Sequence, residues 1–156
     1  MALAGCVHSP EAAPAELRTS PPPWDAPRDA ISYIRAAGFE PQPLNLTDNQ
    51  HVVLIKISID GQPVGIPAYV GIDRLRAVQA PVHTHDATGS VWLEGRDTSA
   101  VTLGQFFTVW GVRFDGGCLG ARCGSLHVTV DGKTVDSDAR AVRLAGGREV
   151  DVDVNG

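Results

Sequence analysis

Along residues 51–60 apolar and polar side chains alternate, with Val53, Ile55, Ile57 and Ile59 on one side and Lys56, Ser58 and Asp60 on the other. A period of two in β-branched residues predicts a half-buried strand. Asp60-Gly61 follows, a pair suited to the left-handed turn of a tight hairpin, so a return strand is expected through Val64 and Ile66. Pro67 stops that strand or holds it at an edge. Residues 80–94 read as a second hairpin, with Val82-His83-Thr84-His85-Asp86, a turn at Gly89, and Ser90-Val91-Trp92-Leu93 returning. Further strands are expected at residues 126–131, around Thr134, at 141–144 and at 149–154.

Two segments carry a helical pattern instead. Residues 24–40 read as one helix, with Asp25 as cap, Pro27 in the first turn, Ile31 and Ile34 on one face, and Gly38 as its end. Pro41-Gln42-Pro43 then forces an extended connection. Thr102-Leu103-Gly104-Gln105 has the form of a capping box, opening a short helix whose Leu103, Phe106, Phe107 and Trp110 make an apolar stripe. The stripe is read as core. The elements together predict an α+β domain, a mostly antiparallel sheet built of hairpins with one or two short helices packed on it. Residues 55–64 and 126–135 also echo each other, each a strand, an Asp-Gly turn and the start of a return strand. Hairpins written in common residues look alike, so the echo leaves duplication open.

The chain has 156 residues, of which 43% are hydrophobic and 20% charged, a composition able to build a core without help from disulfides. The formal net charge is −5 and no basic run occurs, which argues against nucleic-acid binding through phosphate contacts. There is no apolar stretch of transmembrane length. No Gly-x-Gly-x-x-Gly and no P-loop is present, so no nucleotide is expected.

The opening Leu3-Ala4-Gly5-Cys6 resembles the lipobox of bacterial lipoproteins, in which the cysteine is lipidated and becomes the mature N-terminus. Residues 7–23 are rich in Ala, Pro and Glu and end Ser20-Pro21-Pro22-Pro23, a tether composition. The expected organisation is therefore a signal remnant at 1–6 with Cys6 as the lipid site, a tether at 7–23, and one α+β domain at 24–156. Only five residues precede Cys6, so the basic and apolar parts of an export signal are expected upstream of this start. The competing reading is a cytosolic protein with a loose N-terminus. With Cys6 set aside, Cys118 and Cys123 remain as a pair in a glycine-rich loop. A disulfide closing a small loop is preferred over a redox dithiol, which has two intervening residues at a helix start, and over a thiolate metal pair.

His83-Thr84-His85-Asp86 is the strongest candidate for chemistry. Residues two apart in a strand point to one face, and two neutral imidazoles so placed can hold zinc or copper. Asp86 could orient an imidazole, and the third ligand is sought among His51, His127, Asp60 and Asp131, with His51 preferred. The plainer reading is a hairpin end with Asp86 in an Asx turn. Met1 is the sole methionine, which removes methionine-ligated copper chemistry. Ser90 and Ser99 lack the Gly-x-Ser-x-Gly frame of a catalytic serine, and Asp136 and Asp138 read as a solvated loop.

The ordered set Ala36-Ala37-Gly38-Phe39, Ile59-Asp60-Gly61-Gln62-Pro63-Val64, Ile66-Pro67, Gly71-Ile72, His83-Thr84-His85-Asp86-Ala87-Thr88-Gly89, Thr102-Leu103-Gly104-Gln105-Phe106-Phe107, Val109-Trp110-Gly111 and the Cys118/Cys123 pair resembles a family of uncharacterised exported bacterial proteins common in high-G+C genomes. The resemblance runs from Ala36 to the C-terminus and implies export and a shared fold, without a reaction. It also implies alternating histidines on the first strand, where this chain has Gln50, Val52 and Leu54, with His51 one step out of register. The expected role is a lipid-anchored, non-catalytic extracytoplasmic module binding a small ligand, a metal ion or an envelope partner. The alternative is a metal-dependent enzyme or metal carrier using His83 and His85.

Overall fold

The computed structural model describes residues 14–156; Cys6 and the first part of the expected tether lie outside the described residues. The fold is α+β, with two short helices and three sheets that are antiparallel apart from one parallel pair. The strands of the main sheet are β1 (His51–Ile59), β2 (Gln62–Val64), β3 (Val82–His83), β4 (Ser90–Leu93), β5 (Ser125–Val130), β6 (Lys133–Thr134) and β7 (Glu149–Asn155). Their order across the sheet is β6-β5-β7-β1-β4-β3, with β2 also paired to β1. The C-terminal β7 is central, parallel to β1 and antiparallel to β5.

Alternation assigns the two faces. Val53, Ile55 and Ile57 of β1, Val150, Val152 and Val154 of β7, Val128 of β5, Val91 and Leu93 of β4 and Val82 of β3 are buried together. The other face carries Lys56 and Ser58, Asp151 and Asp153, and His127 and Thr129. Helix α2 (Leu103–Trp110) belongs to the same apolar core and buries Leu103, Phe106, Phe107, Val109 and Trp110. Its capping box forms as expected: the Thr102 hydroxyl accepts from the Gln105 N–H at 3.2 Å, and the Gln105 side chain accepts from the Thr102 N–H at 3.0 Å.

Both Asp-Gly pairs turn hairpins through left-handed backbone, with φ of 50° and 77° at Asp60-Gly61 and 50° and 79° at Asp131-Gly132. Because β7 runs parallel to β1 and antiparallel to β5, the two turns lie at opposite ends of β7 and each aspartate fastens one end. Asp131 accepts from the N–H groups of Arg148 and Glu149, both at 3.0 Å. Asp60 accepts from the Gly156 N–H at 3.1 Å and from Arg122. Backbone donors are the largest cause holding both carboxyls below the usual range. A carboxyl with a depressed folded pKa stabilises the fold above its unfolded value of about 3.9 and loses that contribution as pH falls through the folded value. An Asp60→Asn/Asp131→Asn variant, whose asparagines tolerate the same backbone, is expected to keep its neutral-pH fold. Its urea midpoint should fall less steeply than that of the wild type as the pH drops below about 4.

Three elements differ from the sequence expectation. The first helix, α1, spans only Ala30–Ala36 and is capped by Asp29, whose carboxylate accepts from Ser32 N–H at 3.3 Å. Pro27 disfavours helix at Ala26, and Trp24 is drawn into the core, where its indole N–H donates to the Ser20 carbonyl at 3.0 Å. Residues 141–144 form no strand. Ala141 ends one 3-10 turn (Ala139–Ala141) and buried Leu144 begins another (Leu144–Gly146); between them Arg143 makes a single antiparallel bridge with Thr102, and Leu103 N–H bonds the Val142 carbonyl at 2.8 Å. The return strand after Asp60-Gly61 stops at Val64, before Ile66.

The expected tether also meets the domain before residue 24. Arg18 pairs with Val112 in a parallel bridge, and its guanidinium donates to the Trp110 and Gly111 carbonyls at the C-terminus of α2. A cation there satisfies carbonyls the helix leaves unpaired and complements its dipole. Tyr33 donates to the Glu16 carbonyl at 2.8 Å, which fixes the strap further.

Cys118 and Cys123 form a disulfide across directly paired strand positions in the small sheet of Phe114–Asp115, Cys118–Leu119 and Arg122–Cys123. So short a loop contributes on the order of 2 kcal/mol by loop-closure entropy. The turn needs glycine: Gly120 has φ of 56°, and a Cβ there would lie 2.3 Å from the Trp24 ring. The third sheet joins Gln42–Pro43, Val78–Gln79 and Ile72–Asp73. Among the described residues no helix is long and apolar enough to cross a membrane.

Candidate metal centre

The hairpin of β3 and β4 builds the site. His83 pairs with Trp92 and Val82 with Leu93. Paired residues share a face, so Val82 and Leu93 enter the core while His83, His85, Trp92 and Glu94 face the opposite side. Thr84 points inward between the two histidines. Its hydroxyl donates to the Pro67 carbonyl at 2.7 Å and accepts from Val70 N–H at 3.0 Å, tying the loop at 67–70 to the strand.

His83, His85 and Glu94 each offer one ligand atom to a common point. His83 Nε2 lies 3.0 Å from Glu94 Oε2 and 3.3 Å from His85 Nε2, and the third side of the triangle, His85 Nε2 to Glu94 Oε2, is 3.8 Å. Donors around a tetrahedral zinc with bonds of about 2.0–2.1 Å lie roughly 3.3 Å apart, and the centre of this triangle is about 2.0 Å from all three atoms.

The surroundings set the protonation of His83. His83 has no solvent exposure, and its Nδ1 lies 2.8 Å from the Ala80 carbonyl, which can only accept. Nδ1 therefore carries the proton. Burial is the largest influence on the ring and lowers its pKa below the ordinary imidazole value, favouring the neutral form. The Nε2 nitrogen then faces Glu94 Oε2 at 3.0 Å, two atoms that each offer a lone pair, with solvent reaching the group on the His85 side alone. A cation placed between them would be bound by both. Glu94 is oriented by Gln50, whose amide donates to Oε1 at 2.5 Å and leaves Oε2 for the ion. Both contacts are of the kind that aims ligands at a metal.

The other expected ligands lie elsewhere. His51 pairs with Leu93, which places it on the core face, turned away from His83, and its Nε2 donates to the Gly147 carbonyl at 2.8 Å. Asp86 takes the Asx-turn role, accepting from the Thr88 N–H at 3.0 Å and from its hydroxyl. His127, opposite Asp153 on β5, is four strand spacings from β3, roughly 19 Å. Asp60 and Asp131 are committed to the ends of β7.

Glu94 was not among the expected ligands. The signal was the alternation Ser90, Trp92, Glu94, which places a carboxylate diagonally across the hairpin from His83, within reach of long side chains. Val52 and Leu54 lie on this same face of β1, opposite Trp92 and Ser90, and Gln50, just before β1, reaches Glu94 through its side chain, so His51 is out of register with the site. The chain matches no protein-family model, no curated protein and no solved structure.

Proposed function

We propose that the protein is an exported, surface-tethered module that binds one transition-metal ion, zinc or copper, through His83, His85 and Glu94. The convergence of three lone-pair donors, two of them buried, carries this reading. Two imidazoles and a carboxylate suit zinc or divalent copper. The disulfide supports an oxidising, extracytoplasmic setting. A lipid on Cys6 would hold the domain at the membrane surface, beside envelope partners. Nothing in the charge or motifs calls for nucleic acid or nucleotide.

The test is metal content of the full chain made in an oxidising compartment, loaded with zinc or copper and desalted. About one ion per chain is expected, with little retained by His83→Ala/His85→Ala or by Glu94→Gln. Equal metal on wild type and double variant, with circular dichroism unchanged, would overturn the assignment. A metal-dependent hydrolase is the second reading. It is favoured by the exposed side of His85, which leaves a coordination position facing solvent. Zinc-dependent ester or peptide cleavage, lost in Glu94→Gln, would establish it.

A further inference from the structure

The three donors are held with different firmness. His83 is fully buried and fixed through Nδ1 to Ala80. The Glu94 side chain is 5% exposed and fixed through Oε1 to Gln50, while its backbone N–H bonds the Pro81 carbonyl at 3.0 Å. His85 lies beyond the last paired residue of β3, its side chain is 45% exposed, and among the described residues nothing hydrogen-bonds its Nδ1. Its ring is met edge-on by His83 and Trp92, with centroids 4.8 and 5.3 Å away. Histidines of permanent metal sites are ordinarily oriented through their second nitrogen, and His83 has that support where His85 lacks it.

Resting on the metal reading above, we propose that the ion is exchangeable cargo. His83 and Glu94 form a fixed two-donor cradle, and His85 is the replaceable ligand at its solvent side. An acceptor presenting imidazole or amine nitrogens approaches there. Its nitrogen forms a bond to the ion, the bond from His85 Nε2 breaks, and the freed lone pair is taken up by water. The ion keeps its charge and no electron moves. A second acceptor donor then displaces Glu94 or His83. Transfer proceeds through a shared complex, so its rate depends on the acceptor.

The experiment preloads the full chain with zinc and mixes it with rising concentrations of the chelator 4-(2-pyridylazo)resorcinol, following release by absorbance. The rate is expected to rise in proportion to chelator concentration. His85→Ala, an exposed change that leaves the core untouched, should still load at excess zinc through His83 and Glu94 and release it at least about 10-fold faster, the least that loss of even an outer supporting partner costs a metal site. Two results would overturn the proposal while leaving the metal site standing: a release rate independent of chelator from a loaded wild type, or a His85→Ala protein that loads no better than His83→Ala. Failure of the wild type to load zinc or copper at all would sink the metal reading itself, and the exchange proposal with it.

Discussion

Substituting His83 by alanine is expected to weaken zinc or copper binding by more than about 100-fold, beyond the 10–100-fold that loss of an outer hydrogen-bonding partner costs a metal site. The change removes the donor shared by the two shortest sides of the ligand triangle, and the two that remain are 3.8 Å apart. It also strips the Ala80 carbonyl of its 2.8 Å donor in a buried setting. The metal-free variant should therefore lose about 1–3 kcal/mol of stability, the cost of an unsatisfied buried polar group, with a further cost for the vacated ring. Isothermal titration gives the affinity and urea unfolding the stability. Glu94→Gln separates the two effects, because it keeps the shape of the side chain and loses the anionic donor. An affinity for His83→Ala within tenfold of wild type would place the ion elsewhere.

Trp110→Ala is expected to destabilise the domain by about 3–5 kcal/mol, among the largest effects of any single core truncation. A domain of this size has roughly 5–15 kcal/mol in total, so the variant should be largely unfolded at moderate urea. Trp110 is fully buried at the C-terminal end of α2, edge-on to Trp24 with centroids 5.6 Å apart and stacked on Phe107 at 5.9 Å. Its indole N–H donates to the Trp24 carbonyl at 3.1 Å, so truncation leaves both a cavity and an unpaired carbonyl. Trp110→Phe keeps most of the packing and loses that bond, and should cost less than the alanine variant. Urea unfolding with an unchanged slope would show the loss to be one of native stability. A Trp110→Ala midpoint equal to wild type would mean that the aromatic cluster is not the centre of the core.

Much of the fold was legible because it depends on neighbours in sequence. The alternation from Val53 to Ile59, the Asp60-Gly61 and Asp131-Gly132 turns and the Thr102/Gln105 capping box are each settled within a few residues, and each formed where expected. The helix that the sequence predicts from Trp24 is shorter in the fold for a different reason. Its residues permit a helix, but Trp24 is worth more in the core against Trp110 than on a solvent-facing helical turn. The strand expected at 141–144 is reduced to one bridge, Arg143 with Thr102 before α2, a partner that no local pattern announces.

The site divides along the same line. His83 and His85 could be read from the chain because two residues apart in a strand means one face, whatever the rest of the molecule does. His51 could not be excluded from the chain, because its face depends on pairing with Leu93 and through it with Val82. Glu94 joins the two histidines only through the register of the hairpin, with Gln50 brought beside it from just before β1, more than forty residues earlier. Arg18 likewise acquires its role only when the fold presents the Trp110 and Gly111 carbonyls to it. By itself, then, the sequence determined the hairpins, the capping box, the cysteine pair and the two histidines, all products of short-range geometry. Strand order and register decided the third ligand, the face of His51 and the reach of the domain toward its N-terminus, because those depend on which distant segments the burial of a single core brings together.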